Sequence, residues 1–175
     1  MVAGSKVYFV PIDAFSEQQM QHLVHYYHDK FDLDVEVLQS IPVDTSLVNA
    51  SRRQLRAEKV VARVHAAFPD LARDPKNILI GFTSHDIYPE SQDWRFAFGW
   101  RIPELSAAVV STAVMNVKNP RVSVEVAAPE VRLRKVVTKD LGILYYGLPV
   151  NNNPKSVLYN QILGIRELDS VGEDF

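Results

Sequence analysis

Ile78-Leu79-Ile80-Gly81-Phe82-Thr83 is a nearly continuous apolar run, bounded by Lys76-Asn77 before it and Ser84-His85-Asp86 after it. A strand with one wet face alternates polar and apolar residues. A run without alternation predicts a strand buried on both faces. Working outward, Val7-Tyr8-Phe9-Val10-Pro11-Ile12 is a β-branched and aromatic strand closed by proline. Ser16 with Gln19 reads as a helix start, and Met20, Leu23, Val24, Tyr27 and Phe31 keep helical spacing from Glu17 to Lys30. Asp34 to Leu38 alternates and predicts a second strand. Ser51 reads as the cap of a long helix to Phe68, with Leu55, Val60 or Val61, Val64 and Phe68 as its buried stripe.

Beyond the central run, Trp94 to Arg101 and Ala107 to Thr112 read as strands, with a short one at Val122 to Val126. Pro129 suits the first turn of a third helix through Leu133, Val137, Leu141 and Leu144 to a stop near Gly147. A last helix is expected around Val157 to Leu168. The order β-α-β-α-β-β-β-α-α predicts an α/β (α+β) fold, a mixed β-sheet with packed helices, as a single domain over residues 1–175.

The 175 residues are 47% hydrophobic and 23% charged, enough for one sizeable core. Nineteen Lys plus Arg against 21 Asp plus Glu leave a net charge of −2, so no nucleic acid is expected as partner. No apolar run approaches about 18 residues, so no membrane span is expected. Met1 to Lys6 lacks a signal-peptide core, which makes a cytoplasmic location the expectation. There is no cysteine, which excludes disulfides, thiolate metal sites and cysteine nucleophiles. The oligomeric state is left open.

Few side chains suggest chemistry. His22, His25 and His28 recur every third residue on the first helix, but the third falls off the face shared by a neighbouring pair, so they read as a solvated face. His85-Asp86 follows the central strand, where functional residues collect; Asp86 is expected to pin the loop through backbone amides. Arg52, Arg53 and Arg56, and Arg132, Arg134 and Lys135, are interleaved with acids and read as solvated faces. There is no glycine-rich phosphate loop, Gly-x-Ser-x-Gly elbow or His-Glu-x-x-His.

Several segments taken in order resemble the archaemetzincins, small zinc-dependent metalloproteases of the metzincin group with a zincin-like fold. They are Val7-Tyr8-Phe9-Val10-Pro11, Arg53-Gln54 with Ala57-Glu58-Lys59, Thr83-x-x-Asp86-Ile87-Tyr88, Phe96-x-Phe98-Gly99, Val109-Val110-Ser111, the helix from Lys135 to Ile143, Gly147-Leu148-Pro149 and the closing Asp169 to Phe175. The resemblance implies a zincin-like fold over nearly the whole chain.

It also implies a site that this sequence lacks. The family pattern is His-Glu-x-Gly-His-x-x-Gly-Leu-x-His-Cys: three imidazoles hold Zn²⁺ with one position open for water, and the Glu takes the water's proton. Here Lys139 stands at the first His, Asp140 at the Glu and Ile143 at the second His; the third falls on Val150 with one residue inserted after Ile143, or on Pro149 without it. Asn151 and Ser156 stand where cysteines are expected. The catalytic set is therefore expected to be absent, and zinc, the family's cofactor, with it.

The resulting expectation is a proteolytically inactive pseudoenzyme, a metalloprotease homologue that keeps a peptide- or protein-binding or a structural role. The strand Trp94 to Arg101 matches the cleft-rim strand that pairs with substrate in metzincins. Phe96, Phe98, Gly99 and Trp100 are its candidate binding residues, with the three aromatics expected on one face; the competing reading puts that face in the core. Tyr145 and Tyr146 are candidates to fill the old cleft. The alternative is a hydrolase with an altered site built from His85, Asp86 and Asp140.

Overall fold

The computed structural model describes residues 6–175; the N-terminal stretch read for a signal peptide lies, but for Lys6, outside the described residues. In chain order the elements are β1 (Lys6–Pro11), α1 (Glu17–Phe31), β2 (Val35–Val37), β3 (Val48–Asn49), β4 (Gln54–Arg56), α2 (Ala57–Ala67), α3 (Pro69–Ala72), β5 (Asn77–Thr83), β6 (Ile87–Tyr88), β7 (Gly99–Ile102), β8 (Ala107–Ser111), α4 (Pro129–Leu144) and α5 (Ile165–Ser170). The main sheet runs β2-β1-β5-β8-β7; its first four strands are parallel, and β7 is an antiparallel strand on one edge. A small second sheet holds β3-β4-β6.

The central apolar run is β5, in the middle of the main sheet and buried on both faces, as its lack of alternation requires. Ile78, Ile80 and Phe82 join Val7, Phe9, Ala108 and Val110 in the core under α1 and α4. Leu79 joins Tyr8, Val10, Ala107 and Val109 in the core under α2. Each fully buried Val, Leu, Ile or Phe among them contributes about 1.5–3 kcal/mol of apolar burial. Helix α1 begins as read, with Ser16 Oγ accepting from Gln19 N at 3.2 Å. Helix α4 starts on Pro129, and past its end Gly147 takes φ +66°, the left-handed turn that glycine favours.

Three expected elements are corrected. Residues 51–56 are not helical: Leu55 is buried, but in β4, where it pairs with Val48 and Ile87, and α2 begins only at Ala57. The apolar stripe was compatible with a helix, and tertiary pairing overrides it. Val122 to Val126 forms turns rather than a strand, with Val124 exposed. The last helix is shorter and later than Val157 to Leu168, starting after Gly164.

The basic residues of α4 are not a solvated face. Arg132 is fully buried and forks onto Asp169, Nε to Oδ1 and Nη2 to Oδ2, both at 2.7 Å. Its Nη1 donates to the main-chain oxygens of Met115 and Val117. Lys135 donates to the oxygens of Leu168 and Asp169, and Arg134 pairs with Glu173. This network ties the C-terminal segment and the loop before α4 to the helix. Among the described residues no helix is long and apolar enough to cross a membrane.

Candidate functional site

The antiparallel edge strand and helix α4 face each other across a cleft of about 330 Å³. Gly99 is where they come close. A Cβ there would lie 3.0 Å from Val109 O and 3.1 Å from Val136 Cγ1, so the missing side chain lets α4 approach the sheet. From the α4 wall, Val136, Lys139 and Asp140 line the cleft; from the strand side come Phe96, Phe98 and Arg101; Ile162 and Leu163 close a third side.

Register decides what the edge strand shows. Gly99 pairs with Val110 and Arg101 with Ala108, so both point to the α4 side with those partners. Ser111 N donates to Phe98 O, and antiparallel pairs alternate. The Gly99 and Arg101 main-chain groups therefore turn away from β8, toward the free edge. Phe96 and Phe98 pack with the α4-side core and meet edge-on at 5.2 Å. Trp100 joins the opposite core and meets Trp94 at 5.9 Å. The expected alternation of Phe96, Phe98 and Trp100 on one face is thus corrected: the ladder begins only at Gly99, and Trp94 to Phe98 precedes it outside the strand.

The polar chemistry of the cleft is held by consecutive residues of α4. Arg101 Nη1 donates to Asp140 Oδ1 at 2.9 Å. Asp140 is 1% exposed, and its Oδ2 is buried without a hydrogen-bond partner. Burial raises the Asp140 carboxyl above its ordinary value, against the opposing charge of Arg101. Lys139 Nζ donates to the main-chain oxygen of Tyr159. Burial, with Arg101 nearby, lowers the Lys139 ammonium to about 8.

Of the four positions matched to the zinc pattern, Lys139 and Asp140 reach the cleft; Ile143 is half-buried and Val150 exposed, and neither lines it. Tyr145 and Tyr146 do not fill the cleft either, which corrects that expectation. Tyr145 is buried in the α4-side core, and Tyr146 packs edge-on against it and against Phe175. The solvated reading of His22, His25 and His28 agrees with their exposure. Asp86 is pinned, but by the Gln54 side-chain amide at 2.8 Å, while His85 pairs with Asp13 at 3.0 Å. His85, Asp86 and Asp140 thus have three separate partners, with no hydrogen bond among them. Arg52, also expected to be solvated, stacks on Tyr88 with its guanidinium carbon 3.8 Å from the ring centre and holds the Trp94 and Arg95 oxygens.

Residues in the cleft do not fit a zinc ion. They offer an ammonium, a guanidinium and a single carboxylate already engaged through Oδ1, with no imidazole. Among the described residues no group of three His, Asp or Glu is placed to hold a metal.

Solved structures supply the comparison. An archaemetzincin from Archaeoglobus fulgidus, complexed with malonate, superposes with a TM-score of 0.75 at 21% identity, over 97% of this chain and 94% of that one. One from Methanopyrus kandleri gives 0.72 at 17% identity, over 100% and 91%. A zinc-dependent peptidase from Methanocorpusculum labreanum gives 0.75 at 16% identity, over 97% and 95%. The chain has the archaemetzincin fold. No protein-family model and no curated protein matches its sequence. The fold is thus kept at an identity where the sequence around Lys139 has diverged from the zinc pattern.

Arg101, Val136, Ile162 and Leu163 were not singled out from sequence. Arg101 carried a readable signal, since it sits two residues from Gly99 and so shares its face. The others become neighbours only through the fold.

Proposed function

We propose that this chain is an archaemetzincin-fold protein that neither binds zinc nor hydrolyses peptides, and instead binds a peptide in the cleft between β7 and α4. The observation that carries this reading is the exchange of chemistry at one place. Lys139 and Asp140 stand at the His-Glu positions of the family pattern and line the cleft, and Arg101 neutralises the remaining carboxylate. An ammonium beside a guanidinium repels a divalent cation, and a carboxylate bound to arginine is a poor base for water.

Peptide binding is supported by what the exchange leaves intact. The outward main-chain groups of Gly99 and Arg101 offer hydrogen bonds to an added strand, and the cleft beside them takes its side chains. The Methanocorpusculum labreanum neighbour is a zinc-dependent peptidase. Carrying its activity to this chain would need ligands that the cleft does not supply.

The test is a labelled peptide library titrated against the purified protein by fluorescence anisotropy, with cleavage followed in parallel. Expected are saturable binding without cleavage, and loss of binding when the peptide's backbone amides are N-methylated. Stoichiometric zinc with chelator-sensitive cleavage would overturn the reading, as would failure of every peptide to bind.

A further inference from the structure

The charges of the cleft are not balanced within it. Arg101 and Lys139 carry two positive charges against the one carboxylate of Asp140, which Arg101 already engages. Lys139 donates to a neutral main-chain oxygen and pairs with no carboxylate among the described residues. On the same wall, Asp140 Oδ2 is buried and lacks a donor. Buried polar atoms are rarely left unpaired, because each costs roughly 1–3 kcal/mol. Lys139 thus presents an ammonium with spare N–H groups to the cleft, while Oδ2 of the next residue stays closed to solvent. Exposed Trp94 and Leu163 and half-buried Phe96 and Ile162 supply apolar walls around them.

We infer that the cleft captures the C-terminal carboxylate of a peptide ending in an apolar residue, with Lys139 as its counter-ion. The inference rests on the peptide-binding reading above and narrows it to one end of the peptide. A chain terminus is where a peptide carries a full negative charge beside its last side chain, the complement of an ammonium set between apolar walls. A charge-assisted hydrogen bond in a partly dry cleft is about twice as strong as a neutral one. The apolar last side chain meets the aromatic and aliphatic walls. With its ordinary value lowered only to about 8, Lys139 is mostly charged at neutral pH and available to a carboxylate.

The experiment uses the full chain and an N-terminally labelled tetrapeptide ending in leucine, prepared as the free acid and as the C-terminal amide, with isocaproate as a carboxylate without a peptide. The free acid is expected to bind at least about tenfold more tightly than the amide. Lys139→Met is expected to bring the acid-to-amide binding ratio down to about one. The acid-to-amide ratio on the wild-type protein stands even if that variant fails to fold. Equal binding of acid and amide would overturn the terminal-carboxylate inference and leave strand-edge binding standing; no binding by either would end both. Isocaproate displacing the labelled acid at the same concentration as the unlabelled peptide would also overturn it, because the peptide would then add nothing.

Discussion

Arg101 on the edge strand and Asp140 on α4 are joined by one 2.9 Å hydrogen bond across this cleft. The Arg101 side chain is 26% exposed and that of Asp140 1%, so the pair is asymmetric: the carboxylate depends on the arginine more than the arginine on it. Removing the cation strands a buried charge. Arg101→Met is expected to cost about 3 kcal/mol in urea unfolding at pH 7. Burial already raises Asp140 above its ordinary value, so the ionised form is the costly one. The loss is therefore expected to shrink as the pH falls and Asp140 takes up a proton. Adding Asp140→Leu is expected to recover most of the loss at pH 7; a double variant no more stable than Arg101→Met would contradict this account.

The Arg132–Asp169 fork predicts a larger effect. Both side chains are fully buried, and Asn119 Nδ2 also donates to Asp169 Oδ2 at 2.8 Å. Arg132→Met is expected to destabilise by about 3–5 kcal/mol, and Arg132→Lys to rescue little, because an ammonium cannot form the two parallel bonds. Burial pushes Asp169 up, but the hydrogen bonds from Arg132 and Asn119 hold it below its ordinary value. Stability from this carboxylate is then complete above the ordinary Asp value and lost as the pH falls through its lowered one. Acid unfolding of wild type and Asp169→Asn, compared below about pH 4, measures this term.

Lys139 gives the opposite pH signature. Its value is lowered by burial to about 8, whereas in the unfolded chain it returns to the ordinary lysine value near 10.5. Between those values the unfolded state binds the extra proton, so folding is favoured increasingly as the pH rises. The thermal midpoint of the wild type, measured relative to Lys139→Met, is expected to rise from about pH 8 to pH 10. A flat difference would mean that Lys139 is as solvated as in the open chain.

Close approach at Gly99 predicts a steric cost. A methyl group would press on the main-chain oxygen of Val109 at 3.0 Å, and backbone held in the β7–β8 ladder cannot easily yield. Gly99→Ala is expected to cost about 1 kcal/mol, a Tm about 3 °C lower by calorimetry.

If the fold is held without metal, chelation should be silent. Overnight dialysis against EDTA is expected to leave Tm unchanged, and elemental analysis to find well under one zinc per chain. A Tm drop of several degrees on chelation would show a structural metal.

The parts of the fold legible in the sequence are those whose signal is local. The unbroken apolar run of Ile78 to Phe82 announced a strand buried on both faces, and Ser16 and Pro129 marked two helix starts, because caps and periodicity act within a few residues. The unit 51–56 misled because Leu55 fits a helical stripe equally well, and only the pairing of β4 with β6 places it in a strand. Arg132 and Lys135 misled for a related reason: the acid that draws Arg132 into the interior lies 37 residues further along the chain.

The candidate site divides along the same line. Sequence by itself determined that no imidazole stands at the positions matched to the zinc pattern, which are Lys139, Ile143 and Val150. It also placed Gly99 on a strand beside the cleft. Only the tertiary structure decided that Arg101 answers Asp140 from 39 residues away, that the tyrosines pack with the core rather than in the cleft, and that Lys139 stays in it bonded to a main-chain oxygen. The physical reason is that residue type fixes what a side chain can bind, whereas burial, register and charge pairing are set by neighbours distant in the chain, and these settle which groups are left free to bind something else.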